Sequence, residues 1–352
     1  MAPANLEVFM QSNQIALFDV TDFEDEIVEK PDLDSYDFIL IMMSGGKDSL
    51  ACLLSLIEAG VPLSKIEMWH HSVDGRGGDA NPLFDWPVTE SYCEKLAEAI
   101  GIPIYFSWKQ GGLEGEMLRE DAYTRPTSFE TPDGTFQAGG ESGKKSTRRK
   151  FPQLSANLST RYCSAYLKVD PASKAITGQT RFAHKRTLFV TGERAEESSA
   201  RSKYKTFEPH RTDRRHGRSK RHVDQYRPVH SWSEQEVWDI IKRHRINPHP
   251  AYKLGWGRLS CMTCIFGSAA QWASVKAIDP DRFERIANYE VEFGLTIHRT
   301  QSVRERVAKA KPYSSLDPQL IESALSVEFK ESIFVDDWTL PAGAFGESNG
   351  PT

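Results

Sequence analysis

The sequence predicts an α/β protein in which a doubly wound, mostly parallel sheet is joined to a helical C-terminal part. Three observations carry that prediction. Short apolar runs of strand length alternate with segments whose apolar residues recur at helical spacing. The first run passes directly into Ser44-Gly45-Gly46-Lys47-Asp48-Ser49 and then a Leu/Ala/Ile-rich helical pattern, "ILIMMSGGKDSLACLLSLIEAG" over Ile39–Gly60. From Ser231 onward the pattern turns helical again. Strand, helix, strand, helix at these lengths makes parallel βαβ units.

In chain order, residues 1–34 read as an N-terminal arm, acidic through "DVTDFEDEIVEKPDLD". Residues 35–230 read as the loop-bearing α/β domain. Its expected strands are Tyr36–Met43, Lys65–Val73, Ile102–Trp108 and Arg186–Thr191, with helices over Lys47–Ala59 and Trp86–Ile100. A long insert, Gly111–Gln153, is expected to be a functional or mobile loop. Residues 231–334 form the helical region: Ser233 with Glu236 makes a capping box ahead of Val237, Ile240 and Ile241, and Ala269–Phe293 and Thr300–Lys309 are expected to be helical. Residues 335–352 are a turn-rich tail.

With 352 residues and 39% hydrophobic content the chain can bury a real core. No apolar run approaches the roughly 20 residues that cross a bilayer, and the first residues lack the basic-then-apolar order of a secretory signal, so a cytoplasmic protein with no membrane partner is expected. In that compartment the five cysteines read as metal or redox chemistry before disulfides. The net charge of -5 argues against a nucleic-acid coat over the whole surface. It averages an acidic stretch, Asp19–Asp37, with basic ones at Lys144–Lys150 and Arg201–Arg221.

A strand, then Ser-Gly-Gly-Lys-Asp-Ser, then a helix start is an anion cradle. Glycines let backbone N–H groups approach, the helix dipole favours negative charge, and Lys47 adds a cation. Phosphate is the natural occupant. The spacing is not that of a Walker A loop, and Gly143-Lys144-Lys145-Ser146 misses that pattern too. At the carboxyl end of the second strand, His71 and Asp74 are expected to line the pocket; ordinary loop polarity is the alternative.

Ser44–Ser49 resembles the SGGxDS signature of the PP-loop ATP pyrophosphatases, which bind the pyrophosphate of ATP and commonly transfer AMP to a substrate oxygen. Later stretches resemble the phosphoadenosine phosphosulfate (PAPS) reductase-like branch: "RYCSAYLKVDP" at Arg161–Pro171, "TGERAEESSARS" at Thr191–Ser202, "YRPVHSWSEQEVWDII", and "NPHPAYKLGWGRLSCMTC". The likeness covers roughly Tyr36–Gly267. It implies an adenine nucleotide alpha hydrolase-like, Rossmann-like fold. Ser44, Gly45, Gly46, Lys47, Asp48 and Ser49 would cradle ATP, and Asp48 or Asp74 would help hold magnesium. Arg194 and Arg201 are suited to clamping phosphoryl oxygens, and Lys168 to doing likewise; solvated surface charge is the alternative for these three.

Cys261-x-x-Cys264 sets two thiolates within reach of one metal, and Cys163 is the other cysteine in a family-like motif. Three thiolates suit a 4Fe-4S cluster with one iron open; zinc, with His249 as a fourth ligand, and three free thiols are the alternatives. Cys52 and Cys93 fall in expected helices, as small buried hydrophobes.

Reductases of the resembled family use a nucleophilic cysteine near the C-terminus, and cluster-bearing members carry paired cysteines where this chain has Cys163-Ser164. No cysteine follows Cys264. Both departures favour ATP as an activating agent over sulfonucleotide reduction. The chain looks most like the DndC and SspD ATP pyrophosphatases of bacterial DNA phosphorothioation, which implies a cysteine desulfurase as sulfur donor and nucleic acid as partner, DNA ahead of transfer RNA. "KKSTRRK" at Lys144–Lys150 and "RTDRRHGRSKRH" at Arg211–His222 are then candidate phosphate contacts, against solvated loops. A sulfonucleotide reductase, a transfer-RNA thiolase and a non-catalytic nucleotide sensor are the other readings.

Overall fold

The structure, a computed structural model, describes residues 30–140, 143–155 and 157–346. Most of the expected N-terminal arm and the end of the tail lie outside the described residues. The strands are β1 (Phe38–Met42), β2 (Ile66–Ser72), β3 (Ile104–Lys109), β4 (Thr127–Thr131), β5 (Gly134–Ala138), β6 (Arg186–Val190), β7 (Phe207–Pro209) and β8 (His222–Tyr226). They form one eight-stranded sheet in the order β5-β4-β3-β2-β1-β6-β8-β7. The five strands β3-β2-β1-β6-β8 run parallel; β4, β5 and β7 pair antiparallel at the two edges.

After β1 the chain builds outward through β2 and β3, then returns to lay β6 on the other side of β1. The carboxyl ends of β1 and β6 therefore flank the point where strand order reverses, where open α/β sheets keep their ligand crevice. Helix α1 (Lys47–Glu58) begins there, directly after β1. Alternation along β1 divides its side chains: Ile39 and Ile41 enter the core beneath α1, α2 (Thr89–Ile100) and α6 (Glu234–Arg243), while Leu40 enters a second core with Ala172 and Ile176 of α5 (Asp170–Thr177). Burial on both faces explains why the strand reads as a continuous apolar run.

The long insert is not one irregular loop. It contains α3 (Gly112–Met117) and a β4–β5 hairpin closed by Pro132-Asp133-Gly134, with Gly134 at φ 120°. The Pro-Asp-Gly turn between alternating residues was its sequence signal. Ala269–Phe293 is likewise two helices, α8 (Ala269–Ile278) and α9 (Pro280–Phe293). Pro280 has no N–H and excludes the helical conformation from Asp279, which adopts φ −144°, ψ 78° and caps Arg282 N with its side chain. The capping box of α6 forms as expected, Ser233 accepting from Glu236 N. Helix α10 is confined to Val303–Val307, started by a Ser302–Glu305 capping box.

Helices α8, α9, α10 and α11 (Pro318–Leu325) surround a third core that also takes in Phe84, Trp86, Tyr162 and Leu167. Cys52 and Cys93 are fully buried. Among the described residues no helix is long and apolar enough to cross a membrane.

Candidate nucleotide site

The Ser44–Ser49 turn is held open by its own hydroxyls. Ser44 N donates to Ser49 Oγ at 3.3 Å, Ser49 Oγ donates to Gly46 O at 2.9 Å, and Gly46 N donates to Ser44 Oγ at 3.3 Å. Gly45 has φ +77°, a conformation an L side chain resists, and a Cβ there would lie 3.3 Å from both Cys93 Sγ and Leu259 Cδ2. Gly46 is the N-cap of α1, so the amides of Lys47, Asp48 and Ser49 form the orphan first turn. Among the described residues the Asp48 and Ser49 amides have no hydrogen-bond partner. Gly192, just after β6, is packed against this turn: a Cβ would come 2.8 Å from Asp48 C and 3.1 Å from Ser49 N. These are the parts of an oxyanion cradle.

The C-terminal region closes over it. Lys47 N donates to Tyr252 Oη at 2.9 Å, Leu259 N donates to the same oxygen at 3.2 Å, and Lys47 Nζ donates to Gly257 O at 3.0 Å. Tyr252 belongs to α7 (Pro250–Lys253) and is buried. Lys47 Nζ also lies 3.4 Å from Glu234 and 3.8 Å from Asp48. Arg194 Nε donates to Asp48 Oδ1 at 2.6 Å and Arg194 Nη1 donates to Trp232 O at 3.2 Å. Burial opposes the charge on Lys47, but Asp48, Tyr252 and Glu234 outweigh it and hold the ammonium above its ordinary range. Burial likewise works against Asp48, yet Lys47 and Arg194 keep its carboxylate below the usual range, and Asp48 in return raises Arg194. Lys47, Asp48, Arg194 and Glu234 are thus one network of ion pairs beside the cradle, with Lys47 and Arg194 buried and Asp48 and Glu234 partly exposed. Arg201 joins this network only indirectly, paired with Glu197, whose Oε2 also accepts Arg194 N at 2.9 Å.

The other expected residues gather at the ends of β2 and β3. His71 Nδ1 is 2.7 Å from Ser107 Oγ, and burial pushes the imidazole down to about 3. The Asp74 carboxylate accepts the amides of Leu83, Phe84 and Asp85 at 2.8–3.1 Å, so it organises a loop of its own chain. Burial still raises it to about 6, and burial together with Asp74 raises Asp85 to about 7. Lys168 is carried by a π-helical turn, Ala165–Val169, between α4 (Tyr162–Ser164) and α5. Such turns are rare and concentrate at functional sites. From there it acts electrostatically on His71, Asp85, Cys163 and Cys261.

Cys163, Cys261 and Cys264 pack against the same core. Burial, then Cys264, lifts the Cys163 thiol to about 11; burial also lifts Cys261. Among the described residues no group of three or more His, Cys, Asp and Glu is placed to hold a metal ion, so the trio is not a ready ligand set and no chemistry is routed through a cluster. His249 is already engaged as the cap of α7: its Nδ1 accepts from Ala251 N at 3.2 Å and its Nε2 faces Thr89 Oγ1 at 3.3 Å.

The two basic tracts part company. Lys144–Lys150 lies by the carboxyl rim, where Arg148 pairs with Glu116 and stacks over Tyr162, and Arg149 pairs with Glu292. Arg211–His222 leads into the amino end of β8 and so reaches the opposite rim from the cradle. Tyr252, Glu234 and Gly192 were missed as contributors to the site from sequence. All three lie inside the quoted motifs, but nothing in their spacing shows that they meet Lys47 and Asp48.

An α/β protein with a glycine turn and a helix start at the switch point of its parallel sheet is the class that fold and site define. Residues 128–266 match the family model of the phosphoadenosine phosphosulfate reductase domain. The adenosine 5'-phosphosulfate reductase of Allochromatium vinosum is 30% identical over 102 residues, 29% of this chain and 34% of that protein. A protein of Escherichia phage 186, described as an uncharacterized 37.8 kDa protein, is 33% identical over 141 residues, 40% of this chain and 39% of its own length. The chain spans little more than a third of the length of these two relatives, and its likeness to the PAPS reductase domain covers residues 128–266. Among solved structures the chain resembles PAPS reductase from Candida auris in a phosphate complex, 15% identical with a TM-score of 0.39, over 66% of this chain and 85% of that one. A score this low carries no weight for function.

Proposed function

We propose that the protein is a magnesium-dependent ATP pyrophosphatase that adenylylates a substrate oxygen for sulfur incorporation, in DNA phosphorothioate modification with a cysteine desulfurase as sulfur donor. The cradle at the β1/β6 switch point carries this reading. A substrate oxygen attacks the α-phosphorus and pyrophosphate leaves. The unpartnered amides of Asp48 and Ser49, the dipole of α1 and the ammonium of Lys47 face the charge that develops on the leaving group. Magnesium, when bound with the nucleotide, would neutralise phosphoryl oxygens, and the ionised Asp48 is the loop carboxylate suited to hold it. Arg194 orients Asp48 and is the guanidinium nearest to hand for phosphoryl oxygens. The resemblance to DndC and SspD supports the phosphorothioation context.

The adenosine 5'-phosphosulfate reductase of Allochromatium vinosum is an enzyme, which supports an enzyme here and favours one second reading, sulfonucleotide reduction. Pyrophosphate release from ATP separates the two. Wild-type protein should release it, with Lys47→Ala and Asp48→Ala losing it; sulfite release from a sulfonucleotide in the presence of a thiol reductant, without pyrophosphate from ATP, would install the reductase instead. Neither activity would leave a nucleotide sensor. For the cysteines the proposal is narrower. To hold a 4Fe-4S cluster, or zinc as the alternative, Cys163, Cys261 and Cys264 would have to draw closer together than they stand; iron, zinc and acid-labile sulfide assays on anaerobically purified protein detect either, and a metal-free result would leave three thiols.

A further inference from the structure

Along the β7–β8 edge lies a cavity of about 330 Å³ that runs from Arg186 and His222, at the amino ends of β6 and β8, past Arg215, Asp224 and Glu208 to Lys205, which enters from the carboxyl end of β8. Its acids are already satisfied. Asp224 accepts from Tyr36 Oη at 2.8 Å and is paired with Arg215 and His222, and Glu208 is paired with Arg227 at 2.8 Å. Its outer cations are not: among the described residues Arg186 and Lys205 have no carboxylate partner, Arg186 lying instead 5.0 Å over the Tyr36 ring. Beyond the cavity the turn before β8 exposes Arg211, Arg214, Arg218 and Lys220. Phe207 and Pro209 line the cavity and Tyr204 is exposed beside Lys205 under the Arg227 guanidinium, but among the described residues no large apolar side chain is exposed from 211 to 222, so the basic turn itself has no dry centre of the kind a protein partner needs.

We propose that the amino rim is a docking site for the phosphate backbone of a nucleic acid, centred on Arg186, extended by Arg211, Arg214, Arg218 and Lys220, with Lys205 reaching the same cavity along the sheet edge, and separate from the nucleotide cradle. It rests on the proposed function for the presence of such a partner, not for the site. The cations are local in a chain of net charge -5, so any affinity for a polyanion must arise at a patch of this kind. They spread well past the footprint of one phosphate, which suits a polymer. A five-residue strand separates the rims by roughly 16 Å, so docking here holds the nucleic acid without filling the cradle. Arg215 is not part of the docking set, because its guanidinium is committed to Asp213 and Asp224.

The test is fluorescence anisotropy of the full chain with a short labelled DNA duplex and, in a second arm, labelled transfer RNA, across a salt series. Wild-type protein should bind at about 50 mM salt. R211E/R214E/R218E/K220E should lose at least about tenfold in affinity and about 3–4 units of the log–log salt slope. The milder Arg186→Gln with Lys205→Gln should weaken binding in the same direction. K144E/K145E, at the other rim, should bind as wild type. The tighter arm identifies the nucleic acid. No binding by wild type to either probe, unchanged affinity in both amino-rim variants, or an equal loss in K144E/K145E overturns the proposal. Pyrophosphate release from ATP is read in parallel: duplex binding lost at the amino rim while wild type shows no release sinks the activity and keeps the docking site.

Discussion

The two rims of the sheet are both rich in charge but use it in opposite ways. At the carboxyl rim Lys47 and Arg194 are buried, 3% exposed each, and tied to Asp48 and Glu234. At the amino rim Arg211, Arg214, Arg218 and Lys220 stand in solvent. A buried charge is stable only while its partners are in place, so the first set fixes geometry. An exposed charge keeps its hydration and is screened, so the second contributes reach and association but little to the fold.

The sharpest way to break this contrast is at Arg194. Arg194→Ala should cost about 1.5–3 kcal/mol of stability in urea unfolding, because it removes the hydrogen bond to Asp48 and leaves that carboxylate only Lys47 at 3.8 Å; a loss near zero would mean that the carboxyl-rim network is no more structural than the surface charges. Next comes Tyr252→Phe, which strips the acceptor from the Lys47 and Leu259 amides and should cost about 1–3 kcal/mol. A phosphate can satisfy the freed Lys47 amide. The rise in Tm on adding ATP with magnesium should therefore be larger in Tyr252→Phe than in wild type, and an equal or smaller rise would remove that amide from the cradle.

Asp85 gives the contrast a pH dependence. Its carboxyl is raised from 3.8 to about 7 by burial and by Asp74, so the folded state favours the protonated form. The stability it contributes is fully present below pH 3.8 and is lost as pH rises to about 7. Asp85→Asn should consequently gain Tm over wild type progressively across that window and hold the gain above it; a pH-independent difference would refute the raised value. The smallest effects belong to the amino rim: Arg214→Ala and Arg218→Ala should each stay within about 0.5 kcal/mol of wild type. Arg215→Ala, which removes a partner from buried Asp224, should cost more than either.

Local patterning was enough to read four of the five parallel strands in the sequence; β8, which begins at the end of a basic tract, was not expected. β1, β2, β3 and β6 fall within two residues of their expected bounds because each is a short apolar run, and α6 starts at Ser233 because a capping box depends only on residues three apart. The hairpin in the insert and the break at Pro280 had local signals as well, in Pro132-Asp133-Gly134 and in the proline itself. What local pattern could not reach is who meets whom. Asp48 finds Arg194 across 146 positions, and Lys47 finds Tyr252 across 205. The two basic tracts read alike, yet one is latched near the cysteines and the other lies at the far end of the sheet.

By itself, then, the sequence determined the βαβ succession, the glycine turn at the start of α1, and the spacing of Cys261 and Cys264. Those depend on spacings of a few residues, which backbone geometry translates directly. Only the tertiary structure decided that Tyr252 and Gly257 share the donors of Lys47, that Asp74 serves its own loop, and that the cations of Arg211–Lys220 face away from the cradle. Each of those follows from strand order, and strand order is set by how distant apolar faces pack, a choice no short window of residues contains.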